Sequence, residues 1–143
     1  DFDGVMTDNC VYVNEDGVES VKVNRSDGLA VEKLTHLGYK QLILSTETNP
    51  VVAQRAKKLK IPVLQGQKQK DIALQNYCNE NNIQLKNTLF IGNDINDMET
   101  MKLVGQSCCP TDAYPEIKKI SDYIFKSKGG AGVIRELYSM LDL

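Results

Sequence analysis

Three carboxylates and a hydroxyl crowd the first eight residues, Asp1-Phe2-Asp3-Gly4-Val5-Met6-Thr7-Asp8, around a glycine that lets the backbone turn sharply. Asp1 and Asp3 stand two apart, so a chain leaving a strand would project them side by side. Their like charges raise one pKa unless a cation sits between them. Mg²⁺, which takes carboxylate oxygens, suits that place. A carboxylate beside such an ion can attack phosphorus, and a second that carries its proton can release the departing oxygen. An acidic surface turn has the same composition, so the rest of the chain must decide.

The further polar candidates are Ser45, Lys70, Asn93, Asp94 and Asp97, and each falls beside an element that would place it. The first strand is expected upstream of residue 1, because a D-x-D pair at a strand end needs about five residues ahead of it. Residues 9–25 read as a hairpin, with Val11 and Val13 alternating into Asn14-Glu15-Asp16-Gly17 and Val18, Val21 and Val23 on the return. Asp27-Gly28 opens a helix whose stripe is Leu29, Ala30, Lys33, Leu34 and Leu37, closed by Gly38. Apolar strands are expected at 41–45, 61–64 and 88–91, with shorter ones at 107–109 and 123–125. Helices are expected from Asn49-Pro50 to Lys60, over 70–81 and 98–104, from Pro115, and over 132–141.

Strand and helix alternate throughout, which predicts an α/β fold, a doubly wound and mostly parallel sheet covered on both faces. Ligands of such sheets lie outside the carboxyl ends of the strands. Asp1, Asp3, Ser45, Lys70, Asn93, Asp94 and Asp97 all follow strands or open the next helix, so topology gathers them at one edge. The acidic surface turn loses ground accordingly.

The bulk composition agrees with a single domain over 1–143: 143 residues, 41% hydrophobic and 25% charged, with a net charge of −2. Nucleic acid and anionic membrane are excluded as partners for want of a basic face, which leaves a small molecule. The four cysteines have neither zinc spacing nor the density of a disulfide scaffold, and predict a reduced, cytoplasmic protein. No apolar run reaches the ~20 residues of a membrane span. His36 near a helix end, the vicinal Cys108-Cys109 and the cluster Lys57, Lys58 and Lys60 read as structural or solvated. Arg55 and Arg135 are the better candidates for anion binding, since guanidinium forks match carboxylate and phosphate.

D-F-D-G-V-M-T-D, Ser45 in L-I-L-S-T, Lys70, and G-N-D-I-N-D at 92–97 resemble, in order, the four motifs of the haloacid dehalogenase superfamily. N-R-S-D-G at 24–28, Q-G-Q at 65–67 and G-G-A-G-V-I-R-E at 129–136 narrow the likeness. They resemble the capless 3-deoxy-D-manno-octulosonate 8-phosphate phosphatases and their nine-carbon relatives, including the phosphatase-like domain of acylneuraminate cytidylyltransferases. The resemblance implies a Mg²⁺-dependent phosphoric monoester hydrolase with Asp1 as nucleophile and Asp3 as acid and then base. Ser45 and Lys70 would be catalytic; Thr46, Glu47, Arg55 and Arg135 would bind substrate; Asp1, Asp3, Asn93, Asp94 and Asp97 would hold the metal.

The implied substrate is a 3-deoxy-2-ulosonate sugar phosphate. Glu47, where octulosonate phosphatases carry Arg, leans the reading toward nine carbons. The short segments between motifs leave no room for a cap domain, and the resemblance implies a homotetramer in which each hairpin and a neighbour's surface close a site. Asn93 and Ala131 depart from the pattern, which usually has Asp and a basic residue there. The alternative is a silent oligomerisation domain of a cytidylyltransferase. A receiver domain, which groups similar residues, fails on their order: here the D-x-D pair comes first and acids follow Lys70.

Overall fold

The computed structural model describes residues 1–141. Helix α1 (Arg25–His36) starts two residues before the Asp27 signal because Asn24 caps it, its Oδ1 accepting from the Ser26 N–H at 2.8 Å. Its buried stripe is Asp27, Ala30, Val31 and Leu34, while Leu29 and Leu37 point to solvent. Helix α2 (Pro50–Leu59) follows its sequence signals closely. Asn49 accepts from the Val51 N–H, Pro50 takes the first turn, and Lys60 ends the helix in the left-handed region at φ 57°. The remaining helices are α3 (Lys70–Glu80), α4 (Met98–Leu103), α5 (Pro115–Ile120) and α6 (Val133–Met140).

The hairpin forms with only two paired residues a side, β1 (Tyr12–Val13) against β2 (Glu19–Ser20), and Thr7 opposite Val23 prolongs it toward the body. Val11, Val13 and Val18, whose alternation suggested a buried face, are half to two-thirds exposed. A two-stranded ribbon has no second layer to cover such a face; only Val21 and Val23, near its base, reach the core.

Strand β3 (Ile43–Leu44) pairs in parallel with β4 (Val63–Leu64), and β5 (Leu89–Ile91), β6 (Gln106–Cys109) and β7 (Tyr123–Ile124) form a second parallel group. Between β3 and β5 lies a cleft of about 940 Å³ lined by Val31, Ile43, Leu44, Phe90 and Ile91 among others. Asp1 stands at its end, its backbone nitrogen donating to the Ile91 carbonyl oxygen at 2.8 Å. Strands β3 to β7 are therefore parallel and doubly wound, as expected.

Helices cover both faces. One apolar cluster joins Leu44 and Phe90 to Leu74 of α3, Met101 of α4 and Ile117 of α5. On the opposite face Ile43 packs with Phe2, Val31 of α1 and Val52 of α2, and Val133 of α6 meets Ile91 and Phe125. No separate cap intervenes: Asp8 to Ser45 holds only the hairpin, α1 and β3, and Ser45 to Lys70 only α2 and β4. No helix among the described residues is long and apolar enough to cross a membrane. Cys78, Cys108 and Cys109 are buried, and burial pushes the Cys108 thiol up to about 12, so it stays protonated.

Candidate active site

The turn after Asp1 is built by its own polar atoms. Gly4 takes φ +78°, Thr7 is fully buried, and its Oγ1 accepts from the N–H groups of Gly4 and Asn9, both at 3.1 Å. Gly4 also permits a close approach: a Cβ there would lie 1.9 Å from Asn93 Nδ2. The turn opens on a polar pocket of about 150 Å³ lined by Asp1, Asp3, Ser45, Glu47, Asn93 and Asp94, with Thr46, Asn9 and Asn96 completing the wall. Three segments, residues 1–9, 45–47 and 93–96, thus meet at one edge, as the topology requires.

Asp1 is held from behind. Its Oδ1 accepts from Lys70 Nζ at 2.7 Å and from the Phe2 N–H at 2.8 Å, while Oδ2 has no donor among the described residues. Lys70, 2% exposed, also donates to Asp97 Oδ1 at 2.7 Å. The remaining Asp97 oxygen accepts from the Asn93 N–H at 2.9 Å and, at 3.5 Å, from that of Asp94. Lys70 thus sits against the Asp1 carboxylate, where it balances charge, and Asp97, expected among the metal ligands, stands off the pocket wall with both oxygens engaged. A buried ammonium needs paired anions to offset its desolvation, and Asp1 and Asp97 are those anions.

Asp3 faces the pocket without a donor of its own. Burial, the negative charge of Glu47 and, more weakly, that of Glu19 raise its carboxyl above the ordinary 3.8, with Lys70 opposing. A carboxyl so placed keeps its proton to higher pH, as a general acid must. Ser45 is buried at the end of β3, its N–H donating to the Leu64 carbonyl and its Oγ accepting from the Glu47 N–H at 3.1 Å, which leaves the hydroxyl hydrogen free. Thr46 accepts a long hydrogen bond, 3.5 Å, from Asn96.

Asp94 caps the short turn Ile95–Asp97 through the Ile95 N–H. Asn93 is 6% exposed, its carbonyl held by the Tyr114 N–H. Among the described residues no three His, Cys, Asp or Glu side chains converge closely enough to hold an ion unaided.

Arg55 and Arg135 do not reach the pocket of their own chain. Arg55 donates to the Asn24 carbonyl at 3.0 Å, and the Arg135 guanidinium lies 5.5 Å over the Tyr138 ring. Both belong to the α1–α2–α6 side, so a guanidinium's affinity for anions gave no information on direction. Ala131 lies outside the pocket wall as well. Sequence reasoning missed Asn9, Asn96 and Glu19. Asn9 follows the acidic turn directly in the left-handed region, φ 65°, and Asn96 sits inside G-N-D-I-N-D, so both carried a positional signal; Glu19 carried none.

A buried carboxylate, a second carboxyl two residues on, and a hydroxyl and backbone turn at the strand ends suit phosphoryl transfer on a doubly wound sheet. Residues 13–137 match the haloacid dehalogenase-like hydrolases, and the chain belongs to that family. It is 30% identical over 142 residues to the 3-deoxy-D-manno-octulosonate 8-phosphate phosphatase KdsC of Escherichia coli K12, an alignment covering 99% of this chain and 76% of that one.

Among solved structures, a haloacid dehalogenase family hydrolase of Streptomyces avermitilis superposes with a TM-score of 0.95 at 45% identity, over 96% of this chain and 79% of that one. The 3-deoxy-D-manno-octulosonate 8-phosphate phosphatase of Moraxella catarrhalis, in complex with magnesium, phosphate and KDO, superposes at 0.93 with 28% identity, over 97% and 80%. The chain is a capless phosphoric monoester hydrolase of this family.

Proposed function

We propose that the chain hydrolyses the terminal phosphate of a 3-deoxy-2-ulosonate sugar acid through an aspartyl-phosphate on Asp1, with Mg²⁺ as cofactor. The observation that carries this is the Asp1 carboxylate: Lys70 and the Phe2 N–H hold Oδ1, and Oδ2 is left toward the pocket. Oδ2 forms the new bond to phosphorus as the bond from phosphorus to the sugar oxygen breaks, and Asp3 gives that oxygen its proton. Asp3, now a carboxylate, takes a proton from water as the water oxygen attacks phosphorus and frees Asp1. Ser45 donates its unused hydroxyl hydrogen to a phosphoryl oxygen, a contact whose loss costs ~10²–10³ in rate.

The residues present fit the ion. Mg²⁺ is commonly held by one or two carboxylates with substrate phosphate and water, and Asp1, Asp3, Asn93 and Asp94 line one small polar pocket. When bound it supplies charge neutralisation to the phosphoryl oxygens. Asn93 brings an amide oxygen in place of a charge, and Asp97 contributes by fixing Lys70 and the Asn93 N–H.

The octulosonate phosphatases among its relatives make the eight-carbon ester the first substrate to test. Glu47 in the pocket wall supports the nine-carbon ester as a second reading, because a desolvated like charge costs several kcal/mol and so selects which sugar end enters. The exposed apolar hairpin, with Val11, Tyr12, Val13 and Val18, supports a homotetramer in which it packs on a neighbour. The apolar cleft, with strand edges on both sides, supports a parallel strand ahead of Asp1.

The test is Mg²⁺-dependent phosphate release on a panel of eight- and nine-carbon ulosonate phosphates, with mass measured by light scattering. Turnover of one of these esters well above that of simple sugar phosphates is expected. No release from any ester with Mg²⁺ present would return the chain to a silent assembly role.

A further inference from the structure

The mechanism leaves one buried carboxylate without a task. Asp27, in the first turn of α1, is 1% exposed. Its Oδ1 accepts from the Arg135 N–H at 2.9 Å, across 108 positions of sequence, and the Ile134 N–H also contributes. These N–H groups belong to the first turn of α6, whose own N-cap is Gly132 and offers no side chain. Asp27 therefore caps α6 from another helix, satisfying donors that would otherwise be orphaned. Its Oδ2 is buried with no hydrogen bond, as is the Nε of Arg55, whose positive charge acts on Asp27. A carboxylate kept there at the expense of desolvation is fixing something.

What it fixes is the segment just ahead of α6. The Gly130 N–H donates to the Val5 carbonyl at 2.9 Å, and the Gly129 N–H to Asp112 Oδ1 at 2.9 Å. A Cβ on Gly129 would stand 2.2 Å from the Gly4 carbonyl oxygen, and one on Gly130 2.6 Å from the Asp8 nitrogen. The glycine pair is thus flush against the turn that follows Asp3. Asp112 anchors the pair at one end, and Asp27, through the start of α6, anchors it at the other.

We propose that Asp27 is a positioning residue: by capping α6 it seats Gly129 and Gly130 under the Gly4–Asp8 turn and so sets where Asp3 stands relative to Asp1. The proposal rests on the phosphatase reading for its kinetic consequence, and on the fold alone for its structural one. Removing the cap lets the glycine pair and the turn shift together, which misplaces the proton donor more than it weakens ester binding. Misplacement of this kind costs up to about a hundredfold in rate.

The test uses the full chain as Asp27→Ala and Asp27→Asn, assayed for Mg²⁺-dependent phosphate release at a temperature where melting curves show each fully folded. Asp27→Ala is expected to lower kcat about ten- to a hundredfold with KM changed less than about twofold. Asp27→Asn, which keeps an oxygen for the Arg135 N–H, is expected to restore most of kcat. Amide hydrogen exchange by NMR supplies the readout that needs no activity: the Gly130 N–H should exchange faster in Asp27→Ala than in the parent and recover in Asp27→Asn. If Asp27→Ala does not fold, Asp27→Ser takes its place with the same expectations.

Unchanged kcat in a folded Asp27→Ala, or unchanged exchange at Gly130, overturns the proposal. A fall in kcat that Asp27→Asn does not restore overturns the capping account. If the parent itself releases no phosphate from any ester, faster exchange at Gly130 in the variant still supports the positioning role, and it is the phosphatase reading that fails.

Discussion

Two regions meet at Asp1 and could hardly differ more. The pocket in front is about 150 Å³ and walled by acids, amides and hydroxyls, while the strands and helices behind it bury mainly aliphatic and aromatic side chains. The first gathers loops, where Asp1, Ser45 and Asp94 are fixed by hydrogen bonds from backbone N–H groups. The second is fixed by packing. Chemistry and stability are thus assigned to opposite sides of one residue, joined by the Lys70 bridge between Asp1 and Asp97.

The sharpest separation should come from Asp1→Asn, which removes the proposed nucleophile. Phosphate release should fall by about a thousandfold or more, the scale on which loss of a nucleophile acts. Residual turnover within tenfold of the parent would place the nucleophile elsewhere. Lys70→Met strikes the junction itself. It leaves the Asp1 and Asp97 carboxylates buried without their cation, and urea unfolding should report a loss of about 3–5 kcal/mol along with activity. Full stability in Lys70→Met would mean that the ammonium stabilises nothing and the two regions are not coupled through it.

On the apolar side, Leu34→Ala should cost about 2–5 kcal/mol in stability and leave kcat within about twofold, since Leu34 is buried in α1 and lies outside the polar pocket wall. A fall in kcat matching that of a pocket variant would break the division of labour. The mildest test is Glu47→Gln, read as a pH profile. Asp3, with its carboxyl raised above 3.8, contributes stability that is fully present below that value and is lost as pH rises through the raised one. Its acid form is lost over the same interval, so kcat/KM should decline there. Glu47→Gln removes the second-largest cause of the rise, burial being the first. The alkaline limb should therefore move toward lower pH. A limb that stays in place would detach Glu47 from the acid.

The comparison also explains what could be read from the sequence. Asp1, Asp3, Ser45, Asn93 and Asp94 were legible because strand ends fall on one edge of any doubly wound sheet, whatever the side chains do. Lys70 and Asp97 were legible as members of the site but not as its back wall, because spacing along a chain says nothing of which way a long side chain runs. The partners of Arg55 and Arg135 within the chain, the Asn24 carbonyl and the Tyr138 ring, likewise leave no mark in a motif. The hairpin was found by its turn and alternation, yet its valines stay exposed, since period two reports that a face exists and not that anything covers it.

The contact of Gly4 with Gly129 and Asn93 has a consequence in time. A turn that has Asn93 against one side and the glycine pair against another cannot be completed by any shorter stretch of the chain. As the polypeptide leaves the ribosome, Asp1 emerges well before Asn93 and Gly129, the supports of its turn. Long-range closure of this kind is slow compared with helix formation. The catalytic turn is therefore among the latest parts to mature, and a nascent chain ending before Gly129 carries every acid of the site in an unassembled, inactive order.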